Sequence, residues 1–184
     1  YENDSQTTDI SLWNIPTTIN GLATNDDGSK LVIIANNNKL YYRNAKGTYS
    51  IIRTFAGTPT TVAMSSNGQY VYVVTGENEL SEFTYDQENN TYDYVKLLDV
   101  NGQAVLGVSS NQDSSKVWII TCQPHGWGYA LMEGDLTGNF KKLYDFNDTS
   151  YPWNVALSAD GKMAYIPLSF SYIMRFAYDS NAKC

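Results

Sequence analysis

Histidine is almost absent from this chain of 184 residues. His125 stands alone, so a zinc site built on imidazoles is nearly excluded, and a general base would have no second histidine to work with. Cationic clusters are missing as well: twelve Lys and Arg are scattered among nineteen Asp and Glu, giving a net charge of -7 and a pI near 4.5. Nucleic-acid backbones and anionic membranes need clustered cations, so neither is expected as the main partner. No stretch approaches the roughly 20 apolar residues of a spanning helix, and membrane insertion is not expected. Proline is scarce, at five residues.

A chain of this length normally forms one domain, whose core needs neither a metal nor a set of disulfides. It begins at Tyr1 and shows no charged-then-apolar leader, the form of a mature product from which a signal has been removed. The expected setting is therefore secreted and extracellular. Three acceptor triplets, beginning at Asn3, Asn89 and Asn147, are candidate glycosylation sites in that compartment.

What the chain does have is fifteen tyrosines with many Val, Ile and Thr, a composition suited to pleated, half-buried surfaces. It also has one phrase repeated four times: Leu22 to Ile34, Val62 to Val74, Val108 to Ile120 and Val155 to Ile166. The spacing of the turn residues is 40 from Gly28 to Gly68, 46 from Gly68 to Ser114 and 47 from Ser114 to Gly161. That period matches the roughly 40 to 50 residues of a four-stranded propeller blade and is too long for a leucine-rich repeat. The expected fold is all-β, a four-bladed β-propeller of four-stranded antiparallel blades spanning about 16–56, 57–101, 102–147 and 148–179.

In the second blade Thr61 to Ser65 reads as the inner strand A, Tyr70 to Thr75 as B, Leu80 to Tyr85 as C and Tyr92 to Val100 as D. Asp27-Gly28, Asn67-Gly68 and Asp160-Gly161 are turn dipeptides, with Asp113-Ser114 a weaker version. Blade four has A (Asn154 to Ser158), B (Met163 to Pro167) and C (Tyr172 to Tyr178), with no room for D before the tail 180–184. Residues Asp9 to Ile15, which follow a polar tail of residues 1–8 and carry Ile10, Leu12, Trp13 and Ile15, look like an orphan D strand. It can complete blade four in cis, giving a monomer, or in trans, giving rings or filaments through strand donation. In a third arrangement two chains pool their blades into a ring of eight.

Leu157 to Ile166 (Leu-Ser-Ala-Asp-Gly-Lys-Met-Ala-Tyr-Ile) resembles the Ser-x-Asp-Gly-x-x-x-Tyr-Val core of YVTN-type and WD40-like propeller repeats, and Ser65 to Val73 does so with Asn for Asp. The resemblance covers all four blades and implies an architecture, not a substrate. The Gly-His and Trp-Asp pairs of WD40 blades and the Thr-Trp ending of the Asp-box are missing, and so is the repeat of the four-bladed hemopexin-like domain.

In such blades the D-to-A and B-to-C connections share one face, and the A-to-B and C-to-D connections the other. The first face then collects His125, Trp127, Tyr151, Trp153 and Phe170 from blades three and four. Aromatic planes flanked by Asn, Gln and Ser suit sugar rings or extended peptides; the alternative is that Tyr151 and Trp153 pack between blades and Trp127 caps the core under a longer loop. A nucleophilic Cys122 and His125 pair is set against an inert thiol at a strand end. The carboxylates, among them Glu79, Glu82, Asp86, Glu133 and Asp135, fall at turns or on alternating strand positions and read as a solvated face. Asn25, Asp26, Asp27 and Asp135 offer oxygens for Ca²⁺ but lack the spacing of a dedicated calcium loop, so no cofactor or metal is expected. An internal disulfide is disfavoured by topology, and Cys184 is the candidate for an intermolecular one.

The sequence thus points to a non-enzymatic, extracellular structural or interaction module whose partners are proteins, including copies of itself, with a lectin-like glycan site as the competing reading. A metal-dependent, lactonase-like hydrolase is the minor alternative.

Overall fold

The structure is a computed structural model that describes residues 17–177 apart from 45, 77–78, 99, 101, 124–127, 136 and 147–149, and the backbone alone at Phe170. The first blade contains β1 (Ile19–Thr24), β2 (Leu31–Ala35), β3 (Lys39–Arg43) and β4 (Tyr49–Thr54). The second contains β5 (Pro59–Met64), β6 (Tyr70–Thr75), β7 (Glu79–Asp86) and β8 (Thr91–Leu98). The third contains β9 (Ala104–Ser110), β10 (Val117–Cys122), β11 (Tyr129–Gly134) and β12 (Lys141–Phe146). The fourth contains β13 (Ala156–Leu157), β14 (Met163–Leu168) and β15 (Tyr172–Ala177). Each sheet is an antiparallel meander in chain order, and the whole is an all-β, four-bladed β-propeller. Blade four shows three strands among the described residues; the candidate closing strand with Ile10, Leu12, Trp13 and Ile15 lies outside them.

The A-to-B turns form because one side chain at each corner does the work of a backbone acceptor. Oδ1 of Asp27, Asn67, Asp113 and Asp160 accepts the backbone N–H two residues on, at 2.9, 2.9, 3.0 and 3.0 Å. The reversal also needs a positive φ, which Gly28, Gly68 and Gly161 supply at 67 to 69°, and Ser114 supplies at 57° in the turn without glycine.

The core lies between blades, not within them. Along β6, Val71 and Val73 point into a cluster with Val32, Ile34 and Leu40 of blade one, while Tyr72 and Val74 point into a second cluster with Val108, Val117 and Ile119 of blade three. Along β10 the other phase, Trp118 and Ile120, joins Ala164 and Ile166 of blade four in a third. A strand buried on both faces has to be apolar at every position, which is why the B strands read Val-Tyr-Val-Val and Val-Trp-Ile-Ile.

Backbone bonds between turns lock the blades along one rim. Asp26 N–H donates to Ser66 O at 3.0 Å, Asn67 N–H to Gln112 O at 3.2 Å and Gln112 N–H to Ala159 O at 2.9 Å. Packing follows the same order from blade one to blade four. Among the described residues no packing of comparable extent joins an element of blade four to one of blade one.

Strand limits differ most in blade four, where the A strand is two residues long instead of the five expected. Its register is interrupted before Ala156, and Pro152 makes only an isolated bridge to Leu168. A proline has no N–H to give to a ladder.

Candidate functional site

The rim opposite the A-to-B turns carries the D-to-A and B-to-C connections, as their bonds show. In the first two blades Asn38 O accepts from Phe55 N–H, Asn38 Oδ1 accepts from Thr58 Oγ1 at 2.9 Å, and Thr58 O accepts from Gly76 N–H at 3.0 Å. This part of the rim is lined by small residues: Ala56, Gly57, Thr58 and Gly76 with Glu79 border a recess of about 470 Å³.

Blades three and four are built differently there. Ser169 N–H donates to Tyr151 O at 3.0 Å, Tyr151 N–H donates to Ser169 Oγ at 3.3 Å, and Trp153 N–H donates to Pro167 O at 3.3 Å. These bonds bring the D-to-A segment against the short 3-10 turn Ser169–Ser171, so Tyr151, Trp153 and the backbone of Phe170 do share one rim. The Tyr151 ring meets Tyr129 edge-on, with centroids 5.5 Å apart at 83°, and keeps 38 % of its surface exposed. The Trp153 indole is 64 % exposed and does not pack between blades. His125 and Trp127 lie outside the described residues, in a loop whose ends are joined by Gln123 N–H donating to Gly128 O at 3.1 Å.

Beside the tyrosine pair is a recess of about 310 Å³ lined by Gln103, Gln123, Tyr129, Lys142, Asp145 and Phe146. Lys142 and Asp145 form an ion pair of 2.8 Å at its wall. Tyr129, Lys142, Asp145 and Phe146 escaped the sequence reading because they sit on strands β11 and β12 and not in loops. Their signal was the register: Tyr129 is the cross-strand partner of both Cys122 and Phe146, at the end of the sheet that faces this rim. Burial, followed by the nearness of Cys122 and Tyr151, raises the Tyr129 phenol above its ordinary pKa. The Cys122 thiol is free and half-buried, and it contacts Gln123 O at 3.4 Å.

Of the carboxylates named from sequence, Asp27 and Asp135 are engaged in their own turns, whereas Glu82 and Glu133 are buried on strands and not solvated. Asp27 Oδ1 accepts from Asn25 Nδ2 at 2.8 Å as well as from Ser29 N–H, and Asp135 Oδ1 accepts from Thr137 N–H at 2.8 Å. Hydrogen bonds from Ser29 and Thr137 hold these two acids below the usual carboxylate range. Among the described residues no three His, Cys, Asp or Glu side chains are grouped to hold a metal ion. On the turn rim, buried Glu133 receives Trp118 Nε1–H at 3.0 Å and pairs with Lys141 at 2.9 Å and Lys116 at 3.8 Å, so its charge is matched locally. Candidate glycosylation residue Asn89 is exposed on the turn after β7, donating its amide to Asp86, while Asn3, Asn147 and Cys184 lie outside the described residues.

No family model matches the chain, and no curated protein matches it in sequence. Solved structures do resemble it. The β-propeller domain of Cps50 (Swd1) from Myceliophteria thermophila superposes with a TM-score of 0.64 at 11% identity, over 89% of this chain and 55% of that one. The structure of U3-55K gives 0.61 at 11% identity, over 90% and 54%. The architecture is WD40-like. The chain spans about half the length of both structures. Structural likeness extends to 1160 chains, and a fold so widely used carries many activities.

Proposed function

We propose that this propeller is a non-catalytic interaction module that binds an extended segment of a partner protein across the rim of blades three and four. The observation that carries this reading is the exposed Tyr151 packed on Tyr129 at a recess with both an amide lining and a matched ion pair, with the exposed Trp153 on the same rim. Flat aromatic surface anchors a chain, amide groups such as Gln103 and Gln123 meet its backbone, and charges of both signs select among its side chains. A rigid scaffold presenting such a rim needs no chemistry of its own. The acidic turn residues, engaged in local hydrogen bonds, leave this reading ahead of the hydrolase one.

A glycan is the second reading, favoured by the same indole, because sugar rings also stack on flat aromatic faces. Panning a displayed library of random peptides on the purified chain, with a glycan array run in parallel, separates the two. Selected peptides should lose at least tenfold in affinity on the Tyr151→Ala, Trp153→Ala double variant. Array hits abolished by that variant, with no peptide enriched, would replace the protein reading by the lectin-like one. Binding of either kind that ignores both substitutions would remove the rim from consideration.

A further inference from the structure

The four blades are two pairs. Blades one and three share Gly21 and Gly107, Asn25 and Asn111, and Lys30 and Lys116; blades two and four share Pro59 and Pro152, and Ser65 and Ser158. The bonds alternate with the residues. Asn25 and Asn111 accept the backbone N–H of Lys30 and Lys116, both at 2.9 Å, where Ser65 and Ser158 accept that of Tyr70 and Met163 at 2.9 and 3.0 Å. Lys30 Nζ donates to Gly68 O at 3.0 Å, and Lys116 Nζ donates to Gly161 O at 3.3 Å. The junctions one-to-two and three-to-four are therefore the same lysine clamp. The junction two-to-three is of another kind, closed by the Asn67 to Gln112 backbone bond and by Tyr72 and Leu80 packed against Val105 and Val108, all four buried.

The outer faces of the arrangement repeat that second junction, but among the described residues no blade covers them. Counting from the turn glycine and along the strand pairing, Tyr165 and Ile173 of blade four occupy the places of Tyr72 and Leu80, yet they are 49 % and 72 % exposed. On blade one, Ile19 and Leu22 occupy the places of Val105 and Val108, yet they are 47 % and 61 % exposed. One molecule thus displays both halves of an interface that it also contains in finished form.

We propose that the occupant of each face is a second copy of this chain. Two copies related by a two-fold axis along the channel place blade four of one on blade one of the other, twice, and close a ring of eight blades. Each join is head-to-tail, blade four on blade one, and the two-fold repeats it in the opposite sense, so the interface as a whole is isologous and closes with two subunits. Eight blades lies within the range that propellers occupy. Alternation continues unbroken across the joins, since a blade of the serine kind is always followed by one of the asparagine and lysine kind. By the Asn67 to Gln112 precedent, Asp160 N–H donates to the carbonyl of Asp26 of the partner subunit.

Size-exclusion light scattering of the 184-residue chain tests this, with circular dichroism to verify that variants remain folded. The expected mass is twice 20.6 kDa for the unaltered chain. It should fall to a single copy for Leu22→Asp and for Ile173→Asp alike, and for Tyr165→Lys if either aspartate variant does not fold. A single copy at every concentration, the outcome if other blades of a longer protein cover these faces, overturns the proposal. So does a mass above two copies. A dimer lost in only one of the two aspartate variants would mean that like faces pair, and a dimer surviving both would fit strand donation by residues 9–15; each overturns it. Peptide binding at the rim is measured on different residues, so loss of one reading leaves the other standing.

Discussion

Two glycines at the same point of successive blades show how much a residue's meaning depends on its neighbour. Gly28 and Gly68 both have a positive φ, 69° and 67°, yet a Cβ on Gly28 would meet open space, whereas one on Gly68 would lie 2.9 Å from Lys30 Cδ and 3.0 Å from Asn25 Cβ. Left-handed backbone costs an ordinary residue about 1 to 2 kcal/mol. Ser114 tolerates the equivalent place in blade three. Gly28→Ala should therefore cost about 1 kcal/mol in urea denaturation, and Gly68→Ala about 3 kcal/mol, because overpacking adds to the backbone term. Equal losses would show that Lys30 moves aside and that its clamp on Gly68 O is weak. The sequence displayed the Asp-Gly and Asn-Gly turns but not this difference, since the lysine that crowds Gly68 comes from the preceding blade.

At the scale of the element, the A-to-B turns were the most legible part of the chain. Their Asx chemistry is local: acceptor, bridging residue and donor lie within three positions, so the pattern announces itself. It also predicts a pH response. Hydrogen bonds from Ser29, Ser115 and Ser158 hold Asp27, Asp113 and Asp160 below their ordinary value of 3.8. An acid held low in the folded state contributes stability that is fully present above 3.8 and is lost as pH falls through the lowered folded values. Blade two does without a charge, using Asn67 in the same role. Replacing all three aspartates by asparagine should leave the urea midpoint at pH 7 nearly unchanged and flatten its fall below pH 3.8. A steep acid loss that persists in the triple variant would assign it to other carboxylates, such as Asp86 and Asp135, which hydrogen bonds from Asn89 and Thr137 also hold low. The rim of blades three and four was only half legible for the opposite reason. Tyr151 and Trp153 stand in a loop where their exposure could be expected, but Gln103, Lys142 and Asp145 come together only through pairing between strands distant in sequence.

For the whole molecule, stability in a stack of blades is the sum of what each junction buries, so identical positions have unequal weights. Leu80 and Ile173 occupy the same place in blades two and four, each second in strand C opposite the end of strand B. Leu80 is sealed between blades two and three, and its truncation to alanine should cost about 2 to 5 kcal/mol. Ile173 has no blade against it, so Ile173→Ala should cost under about 0.5 kcal/mol in a dilute, single-copy sample. Pairing of two copies would change that in a measurable way. Anything that binds the folded state stabilises it by mass action, so the midpoint of the unaltered chain should rise with protein concentration while that of Ile173→Ala should rise less. The period of about forty residues, visible at once, hid the period of two blades that makes this contrast possible. Only the structure shows that Asn25 and Asn111 bind lysines which clamp the next blade, and hence that blades one and three are of one kind. If the gap between the two curves stays constant across concentration, the outer faces meet nothing in solution, and Ile173 is a surface residue and no more.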